Sequence, residues 1–291
     1  MKITVFKNYG YCWGVKRAVD IAVKELNDLE SAYILGPIIH NPNTNDKLKK
    51  DGLKIVSSVA EVPDGSVFFF PSHGISKTDE EFAAEKSLRT VSLICPFVIK
   101  IEQLAIDYEK KGYKVIIYGD PLHTEVKSMV SRLNSAQVVK DEEGVKGLEL
   151  HPKMLYISQS TQNRDVFYSI FSKLAAAFEW RELIGRFTIC QDTFERQDWM
   201  ATHIEDFEFF IIVGGHQSSN TKKLVEIADL HKKKSVHIEK WDPSVWNMVK
   251  GLNNIAVISG TSTNKEDVDE VVNEIKGRLT QDGNNAGIYY A

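Results

Sequence analysis

The sequence predicts an α/β protein built of parallel sheets covered by helices. Three observations carry that expectation. Short apolar runs rich in Val, Ile and Phe alternate with amphipathic stretches of helical period. Most of the runs end in a polar loop that leads into one of those stretches. Each of the three cysteines, Cys12, Cys95 and Cys190, stands between such a run and such a stretch.

In chain order, the expected strands begin with Ile3 to Phe6 and Ala32 to Leu35, short runs rich in apolar residues. Val67 to Pro71 follows, apolar at every position as a strand buried on both faces would be. Thr90 to Ile94, Lys114 to Tyr118 and Met154 to Ser158 come next, each ending in a polar loop. Arg186 to Ile189 is expected before the third cysteine, and Phe209 to Val213, Ser235 to Ile238 and Asn254 to Ser259 complete the series. Helices are expected over Val15 to Leu26, Phe97 to Lys110 and Thr193 to Ile204, one after each cysteine. The cysteines thus divide the chain into near-equal thirds, which suggests three small α/β modules: residues 13–95, 96–189 and 190–280, with 1–12 joining the third and 281–291 forming a tail.

With 291 residues the chain exceeds the usual single-core size, and 43% hydrophobic with 26% charged residues is the balance of a folded protein rather than a disordered one. A net charge of −4 supplies no general attraction for nucleic acid or anionic lipid, so no nucleic-acid or membrane partner is expected. The most apolar stretches, Val67 to Phe70 and Phe207 to Val213, fall far short of the roughly 20 residues that span a bilayer. The start, Met1-Lys-Ile-Thr-Val-Phe-Lys, has no long apolar core of a secretory signal, and the expected location is the cytoplasm. Three cysteines cannot build a disulfide framework.

In parallel α/β folds, ligands bind where strand ends meet helix N-termini. A helix N-terminus favours thiolate over thiol, and thiolates ligate soft metals or act as nucleophiles. Three of them could hold zinc, although no close Cys-x-x-Cys pair is present, or an iron-sulfur cluster with one iron lacking a protein ligand. His40, His73 and His123 lie in equivalent loops, as do Ser218, Ser219, Asn220 and Ser262; these neutral or cationic donors suit a phosphate or diphosphate. Glu125, two residues after His123, is either an enclosed proton donor or a carboxylate that only complements a helix dipole.

Gly10-Tyr-Cys12-Trp-Gly14-Val15-Lys-Arg17-Ala18, Gly36-Pro-Ile-Ile-His40-Asn41, Ser72-His73-Gly74, Cys95-Pro96 and Gly119-Asp-Pro-Leu-His123-Thr-Glu125-Val126 occur in order along the chain. Gln159-Ser160-Thr161, Cys190-Gln-Asp-Thr193-Phe-Glu-Arg196-Gln197, Ser218-Ser219-Asn220 and Ser259-Gly260-Thr261-Ser262 follow. Over nearly its whole length the sequence resembles the 4-hydroxy-3-methylbut-2-enyl diphosphate reductase family. The resemblance implies three α/β modules in a trefoil around a central [4Fe-4S] cluster, held by Cys12, Cys95 and Cys190 with one iron open. It implies reductive removal of an allylic hydroxyl to give isopentenyl and dimethylallyl diphosphates. It places the diphosphate on His40, His73, His123, Ser218, Ser219, Asn220 and Ser262, makes Glu125 the proton relay, and puts Ser160 where the family usually has a substrate-contacting Thr. Electrons would come from an external ferredoxin or flavodoxin, since no flavin or nicotinamide motif is readable. Alternatives are a relative reducing another allylic or phosphorylated compound, or a non-catalytic iron-sulfur redox sensor. Departures from the family pattern are Trp13, Ser92-Leu-Ile before Cys95, Asp120, Ser160, Gln191-Asp192 and Thr263-Asn264.

Overall fold

The structure is a computed structural model that describes residues 1–149, 151–177, 182–281 and 287–291. Its elements are β1 (Lys2–Val5), α1 (Trp13–Asn27), β2 (Ala32–Leu35), α2 (Pro42–Lys50), β3 (Leu53–Val56), β4 (Val67–Phe70), α3 (Lys77–Glu85), β5 (Arg89–Ser92), α4 (Pro96–Lys110), β6 (Lys114–Tyr118), α5 (Thr124–Ser131) and β7 (Gln137–Val139). The second half adds β8 (Lys153–Ser158), α6 (Arg164–Ala177), β9 (Glu182–Gly185), α7 (Gln191–Thr202), β10 (Phe209–Val213), α8 (Ser219–Leu230), β11 (Ser235–Ile238), α9 (Ser244–Val249), β12 (Asn254–Ser259), α10 (Lys265–Gln281) and β13 (Gly287–Tyr290).

Among the described residues these strands form three sheets, in the orders β11-β10-β12-β1-β13, β3-β2-β4-β5 and β7-β6-β8-β9, with parallel pairing throughout. The chain folds as two compact units. One comprises residues 1–16, 39–46 and 191–291 and holds the five-stranded sheet; the other comprises 17–38 and 47–190 and holds the two four-stranded sheets. β1 enters the five-stranded sheet in register with β12, Lys2 opposite Asn254 and Val5 opposite Val257. All five residues of β10 are buried, as a parallel strand covered on both faces requires. In α4, Val98, Ile101, Glu102 and Ala105 recur at helical spacing on the buried face. A carboxyl group therefore lies on an apolar stripe. No helix among the described residues is long and apolar enough to cross a membrane.

One expected strand is displaced. The segment before the third cysteine pairs at β9, where Glu182 stands opposite Lys153 and Gly185 opposite Tyr156, and not at Arg186 to Ile189. The ladder ends because a side chain replaces it: Thr188 Oγ1 receives the Ser158 N–H at 2.7 Å and donates to Ser158 O at 2.8 Å. Part of the expected tail, Gly287–Tyr290, forms an edge strand on β1, while residues 282–286 of it lie outside the described residues.

Candidate active site

In the unit of two four-stranded sheets, α5 starts at His123, which caps it by accepting the Glu125 N–H on Nδ1 at 3.2 Å. A neutral ring with Nδ1 accepting carries its proton on Nε2, so the imidazole presents a donor on its far side. His73 packs edge-to-face on His123 with ring centres 5.5 Å apart. Glu125 occupies the first turn and is 0% exposed. A carboxylate that served only the helix dipole would stand in solvent. Instead, Ser160 N–H donates to Glu125 Oε1 at 2.7 Å and Ser160 Oγ to Oε2 at 2.8 Å. Burial raises the Glu125 pKa to about 7 against the lowering effect of the two Ser160 bonds, and the charge of Glu102 adds to the rise. Ser160 also accepts the Cys190 N–H on its carbonyl at 2.9 Å, so one residue ties a buried acid to a cysteine. Cys95 caps α4 ahead of Pro96, and its N–H donates to Ser72 O at 3.0 Å. Asp120 serves the turn after β6, accepting the Leu122 N–H at 3.0 Å.

In the other unit, the loops after β1, β10 and β12 converge. Cys12 donates its N–H to Thr261 O at 2.9 Å and accepts the Val15 N–H on Sγ at 3.4 Å. Ser218 caps α8 through the Thr221 N–H, Ser219 is the first residue of that helix, and Asn220 is 1% exposed. Asn220 Oδ1 accepts the Thr261 N–H at 3.0 Å, whereas the buried Nδ2 has no hydrogen-bond partner. An orphaned donor beside a helix N-terminus is the complement of an anion. Ser262 Oγ lies 3.3 Å from Ser218 Oγ and 3.5 Å from His40 O. The His40 carbonyl also packs directly on Gly215, where a Cβ would sit 2.1 Å from His40 O. Burial lowers the His40 pKa, with Lys222 adding to the effect, so the ring acts as a neutral donor near pH 7.

The family model described as LytB protein matches residues 3–276. The chain belongs to the LytB family. It is 36% identical over 281 residues to 4-hydroxy-3-methylbut-2-enyl diphosphate reductase of Alkaliphilus oremlandii (strain OhILAs), covering 94% of this chain and 99% of the relative. The enzyme of the same name from Clostridioides difficile (strain 630) is 34% identical over 276 residues, with 94% and 98% covered. The solved structure of the E-1-hydroxy-2-methyl-but-2-enyl-4-diphosphate reductase from Plasmodium falciparum superposes with a TM-score of 0.92 at 27% identity, covering 99% of this chain and 92% of that one. LytB proteins are iron-sulfur oxidoreductases, and the donor set here suits that group. The three thiols are in no disulfide and are half-buried, and each directly precedes a helix.

Within this LytB chain, sequence reasoning assigned no role to Arg196. It is 1% exposed, and its guanidinium donates to Ser259 O, Ser259 Oγ, Asn8 O and Gly10 O at 2.6 to 3.0 Å. It thereby pins the Cys12 loop to the loop that carries Ser262. The available signal was periodic: Thr193, Arg196, Gln197 and Met200 repeat at helical spacing as the buried face of α7. Of the departures from the family pattern, Gln191 bonds Glu195 one turn on and Thr263 Oγ1 donates to Val213 O at 2.9 Å, whereas Trp13 is 64% exposed.

Proposed function

We propose that this chain is a cytoplasmic 4-hydroxy-3-methylbut-2-enyl diphosphate reductase that converts its substrate to isopentenyl and dimethylallyl diphosphates. The observation that carries the chemistry is the Ser160 bridge. It holds a fully buried, protonatable Glu125 by two hydrogen bonds while its carbonyl receives the amide of Cys190. Hydroxide is a poor leaving group, and an acid titrating near pH 7 is poised to deliver a proton to the departing oxygen. The reaction balances as substrate plus two electrons and two protons giving the product diphosphate plus water. One proton leaves with the oxygen and the other ends on an allyl carbon.

Cys12, Cys95 and Cys190 are the residues that would hold a [4Fe-4S] cluster. When bound, such a cluster supplies the electrons and, at the iron without a protein ligand, Lewis acidity. An external ferredoxin- or flavodoxin-type donor would refill it. Asn220, Ser218, Ser219 and Ser262 bind the diphosphate together with His40, His73 and His123. Support comes from the unpartnered Asn220 Nδ2, the start of α8 and the capping geometry that turns His123 Nδ1 to the Glu125 N–H and makes Nε2 the donor of the ring. Ser160 orients the acid and faces the substrate hydroxyl. The test is turnover of the allylic diphosphate by protein reconstituted without oxygen and supplied with an artificial one-electron reductant. Both isomeric products are expected. A fully loaded protein that takes up electrons and leaves the substrate intact would overturn the assignment.

A further inference from the structure

We infer that His237 and Glu239, at the end of β11, are positioning residues for the diphosphate: they clamp the loop Gly214-Gly215-His216 in the shape that presents Ser218, Ser219 and Asn220, which rests on the reading of those three residues as part of the anion site. The loop joins β10 to α8, and its first two residues have no side chain to anchor them. Glycine has the widest choice of backbone conformation, so the shape of such a loop has to be imposed from outside. The end of β11 imposes it at three successive residues. His237 Nε2 lies 2.8 Å from Gly214 O, the Gly214 N–H donates to Ile238 O at 2.8 Å, and the His216 N–H donates to Glu239 Oε1 at 2.7 Å. A carbonyl oxygen only accepts, so His237 carries a proton on Nε2. The middle bond continues the parallel pairing in which Ile212 faces His237 and Val213 faces Ile238. The outer two come from side chains two positions apart, the spacing of one strand face. The His216 ring packs edge-on against the His237 ring, with centres 4.3 Å apart.

The clamp reaches the anion-binding groups because the loop is packed against them. A Cβ on Gly214 would stand 2.5 Å from Thr221 Oγ1 of α8 and 2.8 Å from Thr263 Oγ1, and one on Gly215 would stand 2.1 Å from His40 O. The Ser218 N–H donates to Gly215 O at 2.9 Å. Ser218 in turn caps α8, and its Oγ lies 3.3 Å from Ser262 Oγ. A loop released at Gly214 and His216 therefore moves the start of α8 and withdraws the surface on which the His40 carbonyl rests. Glu239 would otherwise be out of place in this neighbourhood. A carboxylate this near to an anion loop repels the ligand, whereas its bond to the His216 N–H holds the loop that receives it. The two effects have opposite signs in a variant that removes both.

The experiment compares Glu239→Ala with Glu239→Gln in the holoprotein, by calorimetry with inorganic diphosphate, by steady-state kinetics and by hydrogen exchange of the backbone over residues 214–218. Glutamine removes the charge and keeps an acceptor for the His216 N–H, and alanine removes both. Glu239→Ala should bind diphosphate about fivefold or more weakly than Glu239→Gln, the effect of one hydrogen bond, with a matching rise in KM, a nearly constant kcat and an unchanged cluster spectrum. Exchange at the His216 amide should be faster in Glu239→Ala and near wild type in Glu239→Gln. Equal affinity and equal exchange in the two variants would overturn the proposal, and equally tighter binding in both would show that Glu239 acts by charge alone. Asn220→Ala, measured alongside, separates the two readings. Wild-type affinity there would remove the anion site and this role with it, whereas weak binding by Asn220→Ala beside equal binding by the two Glu239 variants would remove the clamp alone. Should Glu239→Ala fail to fold, His237→Leu against His237→Gln makes the same comparison at Gly214 O, since the glutamine amide nitrogen can replace Nε2 as donor; equal behaviour of that pair would be as decisive against the clamp.

Discussion

Glu125→Gln separates the chemistry of the acid from its place in the fold. The amide keeps the size of the side chain: Oε1 still accepts the Ser160 N–H, and Ser160 Oγ can reverse to accept from the new amide nitrogen. The cluster and substrate affinity should therefore persist, while turnover falls by a general-acid factor of roughly 10² to 10⁴. The same substitution has a signature in stability. Glu125 titrates at about 7 in the folded protein against an ordinary value of 4.5, so its folded pKa is raised. Its favourable contribution is fully present below 4.5 and is lost as pH rises through 7. At pH 8 the native protein bears a buried carboxylate that costs about 3 kcal/mol relative to the unfolded chain, and at pH 5 the cost is below about 1 kcal/mol. Glutamine does not ionise. Urea denaturation should thus show Glu125→Gln to be more stable than wild type at pH 8 by up to about 3 kcal/mol, and nearly equal at pH 5. Near-normal turnover would remove Glu125 as the proton donor, and an equal stability difference at both pH values would refute the buried, raised acid itself.

Three further outcomes are expected. Replacing any one of Cys12, Cys95 or Cys190 by Ser should remove most of the iron and sulfide after anaerobic reconstitution, since three ligands leave no redundancy; full retention in all three variants would exclude this ligand set. His40→Ala, His123→Ala and Asn220→Ala should each weaken binding of the diphosphate by about 10- to 150-fold, the effect of one charge-assisted hydrogen bond, with an unchanged cluster spectrum. Calorimetry showing wild-type affinity in all three would leave these residues as ordinary helix and loop partners. Arg196→Met should destabilise the protein by about 3 kcal/mol in urea, because it strands two buried carbonyls, a buried hydroxyl and the part-buried Asn8 carbonyl at once; a loss below about 1 kcal/mol would refute its role as the pin of the Cys12 loop.

The strands that the sequence marked most clearly are those with continuous apolar runs. Lys114–Tyr118, Phe209–Val213 and Asn254–Ser259 lie where the pattern placed them, since a strand buried on both faces writes its burial into nearly every residue. Leu53–Val56 and Gln137–Val139 escaped notice because edge strands are short and half-solvated. The strand before Cys190 was displaced because a threonine hydroxyl, and not hydrophobicity, decides where that ladder ends.

The sequence by itself determined the α/β class, the family and the residues able to do the chemistry, because residue types at strand ends and helix starts are local facts. Only the tertiary structure decided what those residues are. Glu125 was legible as a carboxyl near a helix start, but its raised pKa comes from full burial and its orientation from Ser160, thirty-five positions away. Asn220 was one polar residue in a capping sequence until packing left its amide nitrogen without a partner. Arg196 reads as an ordinary charge on a helix, and its role comes from loops distant along the chain that close around it. Burial sets the dielectric and the hydrogen-bond partners of a side chain, and both belong to the folded arrangement and not to the order of residues.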